Sequence, residues 1–404
     1  MTPAADINIR RYPWIQFSTN LFGWFPVFFL YFNSMVPLSS AILLGSIYYL
    51  CVTLAEVPSG YFSDRYGRRI TMLVAAAFFV AANIGYIAAT DFSGLVLGQV
   101  LLALGMAFLS GTDTAFLYDS LLSLDREGQY AEQEARGQQF GMTGLALASL
   151  AGGALGLADL RLPYGLALFG ALWAFWLTWG CVEPRVHRQD GAGTGSFLHS
   201  IRDCLRLLSD RTLAWLFGVM VFMYSLGHVA YEFYQPYLRL LGLGWFAGDT
   251  TTLVSGVVVG VSMFGGALGA ALSVRLHQRL GIRALLYIAF AMQLVIIGGL
   301  AFLLAQWVLI LVILRNFPWG LIYAPVNAQI APRVGSHLRA TYLSLQSLMG
   351  RLVFSGLLLF LSSTVDNQAL SWSSLSLVLR EAFAFAAVGF VVAVVLAPRK
   401  NMTS

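Results

Sequence analysis

A short charged segment separates two long apolar runs near the start of the chain and reads Gly60-Tyr61-Phe62-Ser63-Asp64-Arg65-Tyr66-Gly67-Arg68-Arg69. One apolar run ends near Phe62, and the next begins near Ile70. Each run is long enough to cross a bilayer as a helix, but a charged turn cannot lie in hydrocarbon. We therefore expect the segment at a membrane surface, and its three arginines favour the cytoplasmic side.

The composition is typical of a protein whose solvent is lipid. Hydrophobic residues make up 58% of the 404 residues and charged residues 11%, whereas a soluble domain carries about 25% charged residues. The net charge of +5 does not indicate nucleic-acid binding, because the arginines are spread over short loops. The three cysteines, Cys51, Cys181 and Cys204, have no CxxC spacing, so neither a disulfide framework nor a zinc site is expected.

The hydropathy pattern predicts twelve membrane-spanning helices. They cover residues 13–32, 40–62, 70–90, 94–118, 137–158, 163–182, 213–236, 251–275, 284–303, 307–330, 340–362 and 376–397. Nineteen of the 24 arginine and lysine residues then fall on one side, and only Arg161 and Arg239 fall on the other. This bias predicts a multi-pass protein of the cytoplasmic (inner) membrane with both termini in the cytoplasm.

The longest polar stretch divides the chain into two halves. It covers residues 183–212 and contains the glycine-rich linker Gly191–Gly195, followed by an amphipathic segment around Phe197–Leu208. We expect an N-terminal bundle over residues 1–182 and a C-terminal bundle over residues 213–404. A weak internal repeat supports two parallel halves, because Arg279-Leu280-Gly281-Ile282-Arg283 is similar to Arg65-Tyr66-Gly67-Arg68-Arg69.

The segment Glu56-Val57-Pro58-Ser59-Gly60 and the ten-residue stretch quoted above together resemble the loop 2–3 signature of the major facilitator superfamily. The resemblance implies an all-α membrane fold of twelve helices in two pseudo-symmetric six-helix bundles around a central cavity. Residues 111–121 and 340–348 are similar to bacterial permeases of the drug-exporter branch. Two departures are Gln99, where proton-coupled exporters carry an arginine, and the absence of proline from span five.

The resemblance also implies a cytoplasmic latch in which the loop arginines pair with acids or with helix ends of other spans. The alternative is that these arginines only set the topology and bind lipid phosphate. The residues assigned to this gate are Glu56, Gly60, Asp64, Arg65, Gly67, Arg68, Arg69 and Asp119.

Several ionisable residues lie within the predicted spans, where an ionised group is expensive unless it has a partner or lines water. Asp113 in span four is a candidate proton carrier, or else a structural hydrogen-bonding group. Glu232 and His228 lie four residues apart in span seven, so they share a helical face and favour a proton relay. Tyr231 and Gln235 beside them suit an organic substrate, although Tyr and His are also ordinary residues of a membrane interface.

Arg315 in span ten and Arg351 in span eleven are the cations of the predicted spans. Each needs an anion, and the candidates are Asp113, Glu232 or a substrate carboxylate. The alternative is an internal salt bridge without substrate contact. Asn20 is a further candidate for hydrogen bonding to substrate, or else to a neighbouring helix.

These features favour a secondary active transporter that moves a small organic solute by alternating access, with proton coupling and with efflux of amphiphilic compounds preferred. Uptake of a nutrient or siderophore-type chelate is the alternative within this class, and a non-transporting membrane sensor or assembly partner is the alternative outside it. We expect no enzymatic activity, no cofactor and no metal site, because no nucleotide, nucleophile or metal-ligand motif is present. The expected partners are a small-molecule substrate, protons or another coupling ion, and membrane lipids, with the chain acting as a monomer.

Overall fold

The computed structural model describes residues 6–184, 202–242, 250–330, 333–334, 336–365 and 369–398. Within these ranges every regular element is a helix, so the predicted all-α membrane fold is confirmed. The glycine-rich linker Gly191–Gly195 and several charges of the topology argument lie outside the described residues. Those charges are Arg185, Arg188, Asp366, Arg399 and Lys400.

The first half of the chain begins with two short helices and continues with longer ones. In chain order they are α1 (Asp6–Thr19), α2 (Phe28–Asn33), α3 (Leu38–Tyr66), α4 (Arg68–Ala88), α5 (Phe92–Leu109), α6 (Thr112–Leu122), a 3-10 turn (Glu127–Gln129), α7 (Tyr130–Leu155) and α8 (Leu162–Trp179). Within this half α4 packs against α5 and α8, while α1 packs against α7.

The second half begins with α9, which is described over residues 202–207. The remaining elements are α10 (Arg211–Leu241), α11 (Thr251–Phe302), α12 (Val308–Ile313), a 3-10 turn (Leu314–Asn316), α13 (Phe317–Ile330), α14 (Ser336–Thr364) and α15 (Trp372–Val395). Within this half α10 packs against α14 and α15.

Among the described residues, nine helical stretches are long and apolar enough to span a membrane. The predicted span one is formed by the two short helices α1 and α2, and the predicted span five corresponds to the less apolar helix α7. The 52-residue helix α11 covers the predicted spans eight and nine together. The helices are therefore consistent with twelve spans.

Helix α11 folds back on itself at Gly281, which has φ 75° and ψ 165°. A Cβ atom on Gly265 would lie 3.1 Å from the Ile313 carbonyl oxygen. Gln293, 28 residues further on, donates a hydrogen bond to the Arg315 carbonyl oxygen at 3.3 Å. In a straight helix Gly265 and Gln293 would be about 42 Å apart, so they contact neighbouring residues only because the chain reverses between them.

Gly67 and Gly281 both combine a positive φ with an extended ψ at corresponding places in the two halves. Gly67 joins α3 to α4 with φ 106° and ψ 157°, close to the values at Gly281. A residue with a Cβ atom is strained at such a positive φ, so glycine is required at both junctions. This shared geometry supports the internal repeat found in the sequence.

The chain forms two compact units. One consists of Met1–Arg188 with Leu243–Gly260, and the other of Gln189–Gly242 with Val261–Ser404. The start of α11 belongs to the first unit, where the Ser255 hydroxyl donates to the Pro26 carbonyl. The division into bundles of residues 1–182 and 213–404 stays a prediction.

Candidate functional site

The loop between α3 and α4 is tied to α6 by Arg68. Its Nη1 lies 2.8 Å from an Asp64 carboxylate oxygen and donates to the Ser63 hydroxyl at the same distance. Its Nε lies 3.4 Å from the Asp119 Oδ2. Arg68 thus links acids on two helices, as the latch interpretation requires of its arginines.

Glu183, which follows the last helix of the first half, caps the start of α4. Its two carboxylate oxygens accept hydrogen bonds from the backbone N–H groups of Arg68 at 2.7 Å and of Arg69 at 3.0 Å. A carboxylate at this position satisfies two of the unpaired donors of the helix and interacts favourably with its dipole. Sequence reasoning missed Glu183 because it was assigned to the linker.

Arg69 contacts the other end of a helix. It donates to the carbonyl oxygens of Thr178 at 3.4 Å and of Trp179 at 2.7 Å, and its guanidinium lies 5.8 Å from the Trp179 ring. These carbonyls end α8, where a positive charge is favourable. The loop is therefore held at the end of α8 by the positive charge of Arg69 and, just beyond α8, by the negative charge of Glu183.

Three other residues that were assigned to the gate lie on α3 itself. Arg65 is exposed, donates to the Tyr61 hydroxyl at 3.2 Å and lies over Tyr66, so these contacts are with its own helix. Gly60 is also exposed, with open space where a Cβ would be. The Glu56 backbone carbonyl accepts a hydrogen bond from Ser59.

Asp113 lies at a break in span four. Gly111, with φ 72°, ends α5 and lets α6 begin at Thr112, which places Asp113 in the first turn of α6. The Asp113 Oδ2 accepts a hydrogen bond from the Gln16 side chain at 2.7 Å, and Oδ1 accepts one from the Thr114 N–H at 2.8 Å. Within its own unit Asp113 has no cationic partner among the described residues.

The hydrogen bonds continue from Asp113 to a second carboxylate. Gln16 also donates to the Tyr12 hydroxyl at 3.0 Å, and that hydroxyl donates to the Glu134 Oε2 at 2.8 Å. Tyr12 and Gln16 are buried, so the two acids are joined through groups that have little access to solvent. Sequence reasoning missed Gln16, Tyr12 and Glu134. Gln16 is 97 residues from Asp113 in the chain, and Tyr12 is 122 residues from Glu134.

Two polar candidates in the first unit form structural hydrogen bonds. Asn20 donates to the Gln16 carbonyl oxygen at 2.8 Å. Gln99 accepts from the Tyr86 hydroxyl at 2.7 Å and donates to the Leu44 carbonyl oxygen at 3.1 Å. Gln99 therefore uses its amide to join helices.

The predicted pair on α10 does not form. The His228 Nδ1 lies 2.7 Å from the Tyr224 carbonyl oxygen, and the imidazole stacks on the Tyr224 ring at 4.2 Å. Glu232 is only 2% exposed and makes no hydrogen bond or ion pair with another described residue. Gln235 is buried and donates to the Tyr234 hydroxyl at 3.3 Å. Residues four apart thus share a helical face, but His228 binds the preceding turn instead.

Arg315 lies in the 3-10 turn between α12 and α13 and is 2% exposed. Its guanidinium carbon lies 4.6 Å from the centre of the Tyr234 ring and 5.7 Å from that of Tyr231. The Nη1 atom is buried without a hydrogen-bond partner among the described residues. Glu232, one of the three candidate anions for Arg315, does not pair with it, and the guanidinium lies over the two tyrosine rings.

Arg351 on α14 belongs to the same region. The Gly350 carbonyl oxygen beside it accepts a hydrogen bond from the Ser225 hydroxyl at 3.2 Å, and the Phe354 ring, three residues further on, lies 5.4 Å from the His228 ring. The second unit therefore brings together the predicted residues His228, Tyr231, Arg315 and Arg351 around the aromatic side of α10. In the described residues, no group of three histidine, cysteine, aspartate or glutamate side chains is arranged to hold a metal ion.

Solved structures of transporters are similar to this chain over nearly its whole length. The nucleoside transporter NupG matches with a TM-score of 0.76 and 12% identity, covering 98% of this chain and 100% of that one. The D-xylose-proton symporter matches with a TM-score of 0.72 and 14% identity, covering 99% of both chains. At these identities the likeness shows the fold alone.

Comparison of sequences identifies a curated relative and a family. The MFS-type transporter YxaM of Bacillus subtilis (strain 168) is 22% identical over 206 residues, which is 50% of each protein, so the chain matches about half the length of this curated relative. These relatives are named as transporters rather than enzymes. The model of the Major Facilitator Superfamily matches residues 14–358, so the predicted resemblance is confirmed and the chain belongs to this superfamily.

Proposed function

We propose that the chain is a secondary active transporter of the cytoplasmic membrane that moves a small organic solute by alternating access and couples this movement to protons. Family membership supports transport. The observation that carries proton coupling is the environment of Asp113. This carboxylate is half-buried and is held by neutral donors rather than by a cation.

Neutral donors leave Asp113 able to gain and lose a proton. A carboxylate paired with arginine or lysine stays ionised, because the cation stabilises the charged form. Gln16 and the Thr114 N–H orient Asp113 without adding a charge. The Tyr12 hydroxyl connects this site to Glu134, which provides a second acceptor for the proton. Glu232 on α10, which is buried without a cationic partner among the described residues, is the second candidate acid.

The contacts of Arg68, Arg69 and Glu183 support a cytoplasmic latch. They join the loop to α6 and α8 through ion pairs and helix ends. These contacts lie within the first unit, and partly exposed ion pairs of this kind contribute about 1 kcal/mol or less each, so they break at low cost when the loop moves. The latch is assigned to the cytoplasmic side, with both termini, from the arginine distribution.

Efflux of amphiphilic compounds is the preferred direction, because residues 111–121 and 340–348 resemble the drug-exporter branch. Uptake is the second candidate. It is favoured by Gln99, which replaces the exporters' arginine and is fully used in joining helices. The names of the similar structures, a nucleoside transporter and a D-xylose-proton symporter, suggest a nucleoside and a pentose as test solutes.

The test is solute flux in proteoliposomes with and without a pH gradient. The probes are one cationic and one anionic amphiphilic dye, a nucleoside and a pentose. We expect gradient-driven accumulation of at least one probe, and its direction relative to the gradient separates efflux from uptake. A chain that moves no probe in either direction would favour the non-transporting sensor.

Variants then test the coupling residue. We expect Asp113→Asn to abolish gradient-driven accumulation while it keeps exchange of labelled for unlabelled solute, because exchange needs no net proton movement. The matched control is Asp91→Asn, which removes an exposed carboxylate that caps α5. Unchanged accumulation in the Asp113→Asn, Glu232→Gln double variant would show that neither acid carries the proton.

A further inference from the structure

The second unit contains a buried arginine whose charge is not balanced by the described residues around it. Arg315 is 2% exposed, and its side chain donates no hydrogen bond to another described residue. In its own unit no described carboxylate lies within 4.0 Å of it, and the nearest acid of α10, Glu232, is not its partner.

The two tyrosines do not offset the cost of burying this charge. A guanidinium over an aromatic face gains about 0.5–2 kcal/mol, whereas the effective penalty of burying an ion is several kcal/mol. Nη1 adds the cost of an unpaired buried donor. The unliganded site is therefore electrostatically incomplete, and an anion would complete it.

The first half provides an internal comparison. Gln99 occupies nearly the repeat position of Arg315 in the sequence and is also buried. Its amide oxygen and nitrogen both have partners, Tyr86 and Leu44. In the first half this position holds a neutral side chain whose polar atoms are hydrogen-bonded. In the second half it holds a charged side chain with an unbonded nitrogen. Helix packing alone therefore does not require a charge there.

The surroundings of Arg315 suit an organic anion. Tyr231 and Tyr234 present their rings to the guanidinium, and the His228 imidazole lies 6.4 Å from the Tyr231 ring. Arg315 lies eight residues inside the predicted span ten (307–330), about 12 Å from its nearer end, so lipid phosphate at the bilayer surface is not its usual counter-ion. Aromatic faces beside a guanidinium fork bind a ring or an apolar body that carries a carboxylate or a phosphate.

We propose that the transported solute carries an anionic group, a carboxylate or a phosphate, and that Arg315 binds this group while Tyr231 and Tyr234 contact the adjoining part of the solute. The inference rests on the proposed function, since it names the chemistry of the solute that the transporter moves.

The test measures binding in detergent, without a membrane gradient, as the ligand-induced rise of the unfolding temperature. The probes are benzoate, phenyl phosphate, neutral benzyl alcohol and cationic benzylamine, and the variants are Arg315→Gln, Arg315→Lys and the control Arg380→Gln. Arg380 is an exposed arginine whose guanidinium lies 5.5 Å from the Phe302 ring. It therefore shares the cation–aromatic contact of Arg315 but is not buried.

We expect at least one of the two anions to stabilise the wild type and Arg380→Gln, and the preferred anion to distinguish a carboxylate from a phosphate. In Arg315→Gln the apparent affinity for that anion should fall about tenfold or more, since a hydrogen bond to a charged group is lost. Arg315→Lys should keep part of the effect, because it keeps the charge but not the fork. The inference is overturned if neither anion stabilises the wild type, if benzyl alcohol does so equally, or if Arg315→Gln binds the anion normally.

A second readout needs no ligand. Removing an unbalanced buried charge should leave the unfolding temperature of Arg315→Gln unchanged or raised, whereas the loss of an internal salt bridge would lower it. A lowered temperature or an unfolded variant would therefore contradict the proposal directly. Anion binding without flux would refute the transport proposal alone, and flux without a preference for anions would refute this inference alone.

Discussion

Glu183 shows how a single side chain can connect a surface loop to the body of the protein. Its carboxylate accepts from two consecutive backbone N–H groups 114 and 115 residues earlier in the chain. Asn8 acts similarly, since it is buried and bonds to the Ser120 hydroxyl and to both the N–H and the carbonyl of Val182. Neither contact follows a local sequence rule, because each joins segments that are distant in the chain.

We predict that Glu183→Gln speeds amide hydrogen exchange at Arg68 and Arg69. The loss of a charged cap costs about 1 kcal/mol, which corresponds to roughly a fivefold to tenfold faster opening of this turn. Exchange is measured by mass spectrometry on peptides that cover residues 67–71. The matched control is Glu132→Gln in the exposed first turn of α7, which should leave these amides unchanged. Equal exchange in the wild type and Glu183→Gln would contradict the capping role.

At the scale of secondary-structure elements, the positions where helices break matter more than their lengths. Gly67 and Gly281 turn the chain from one helix into the next, and Gly111 interrupts span four directly before Asp113. Glycine-containing charged motifs predicted the first two junctions. The break at Gly111 was not predicted, because the apolar run of span four continues through it.

We predict that Gly67→Ala destabilises the protein more than Gly281→Ala. Both variants force a Cβ into a positive φ, at a cost of about 1–2 kcal/mol. At Gly67 the Cβ would also lie 2.6 Å from the Glu183 carboxylate, whereas the space at Gly281 is open. The unfolding temperatures of the purified variants measure the difference. The Gly67→Ala, Glu183→Ala double variant should recover part of the lost unfolding temperature. Equal decreases for Gly67→Ala and Gly281→Ala would show that the added Cβ does not clash with Glu183.

At the scale of the whole molecule, the chain is a multi-pass membrane protein of the Major Facilitator Superfamily. The two contact units and the paired glycine junctions support a repeated architecture. The number of crossings depends on α11, whose two arms both contact residues 311–317. If α11 crosses twice, its turn and its end lie on opposite faces.

We predict that single cysteines in a background without Cys51, Cys181 and Cys204 report this topology. A membrane-impermeant maleimide should label Ser93→Cys and Gln306→Cys in intact cells, and Gly128→Cys and Gln278→Cys only after permeabilisation. All four sites are exposed. Labelling of Gln278→Cys from outside would show that α11 does not turn back on the cytoplasmic side.

The membrane spans and the charged loop were predictable from the sequence, because bilayer thickness requires long apolar runs and water requires charges between them. The family followed from the same loop. Which polar groups meet was decided by tertiary packing. Gln16 reaches Asp113 across 97 residues, and Arg315 rests on Tyr231 and Tyr234 instead of pairing with Glu232. Helix rotation and contact between distant segments determine these partners, and hydropathy carries no information about either.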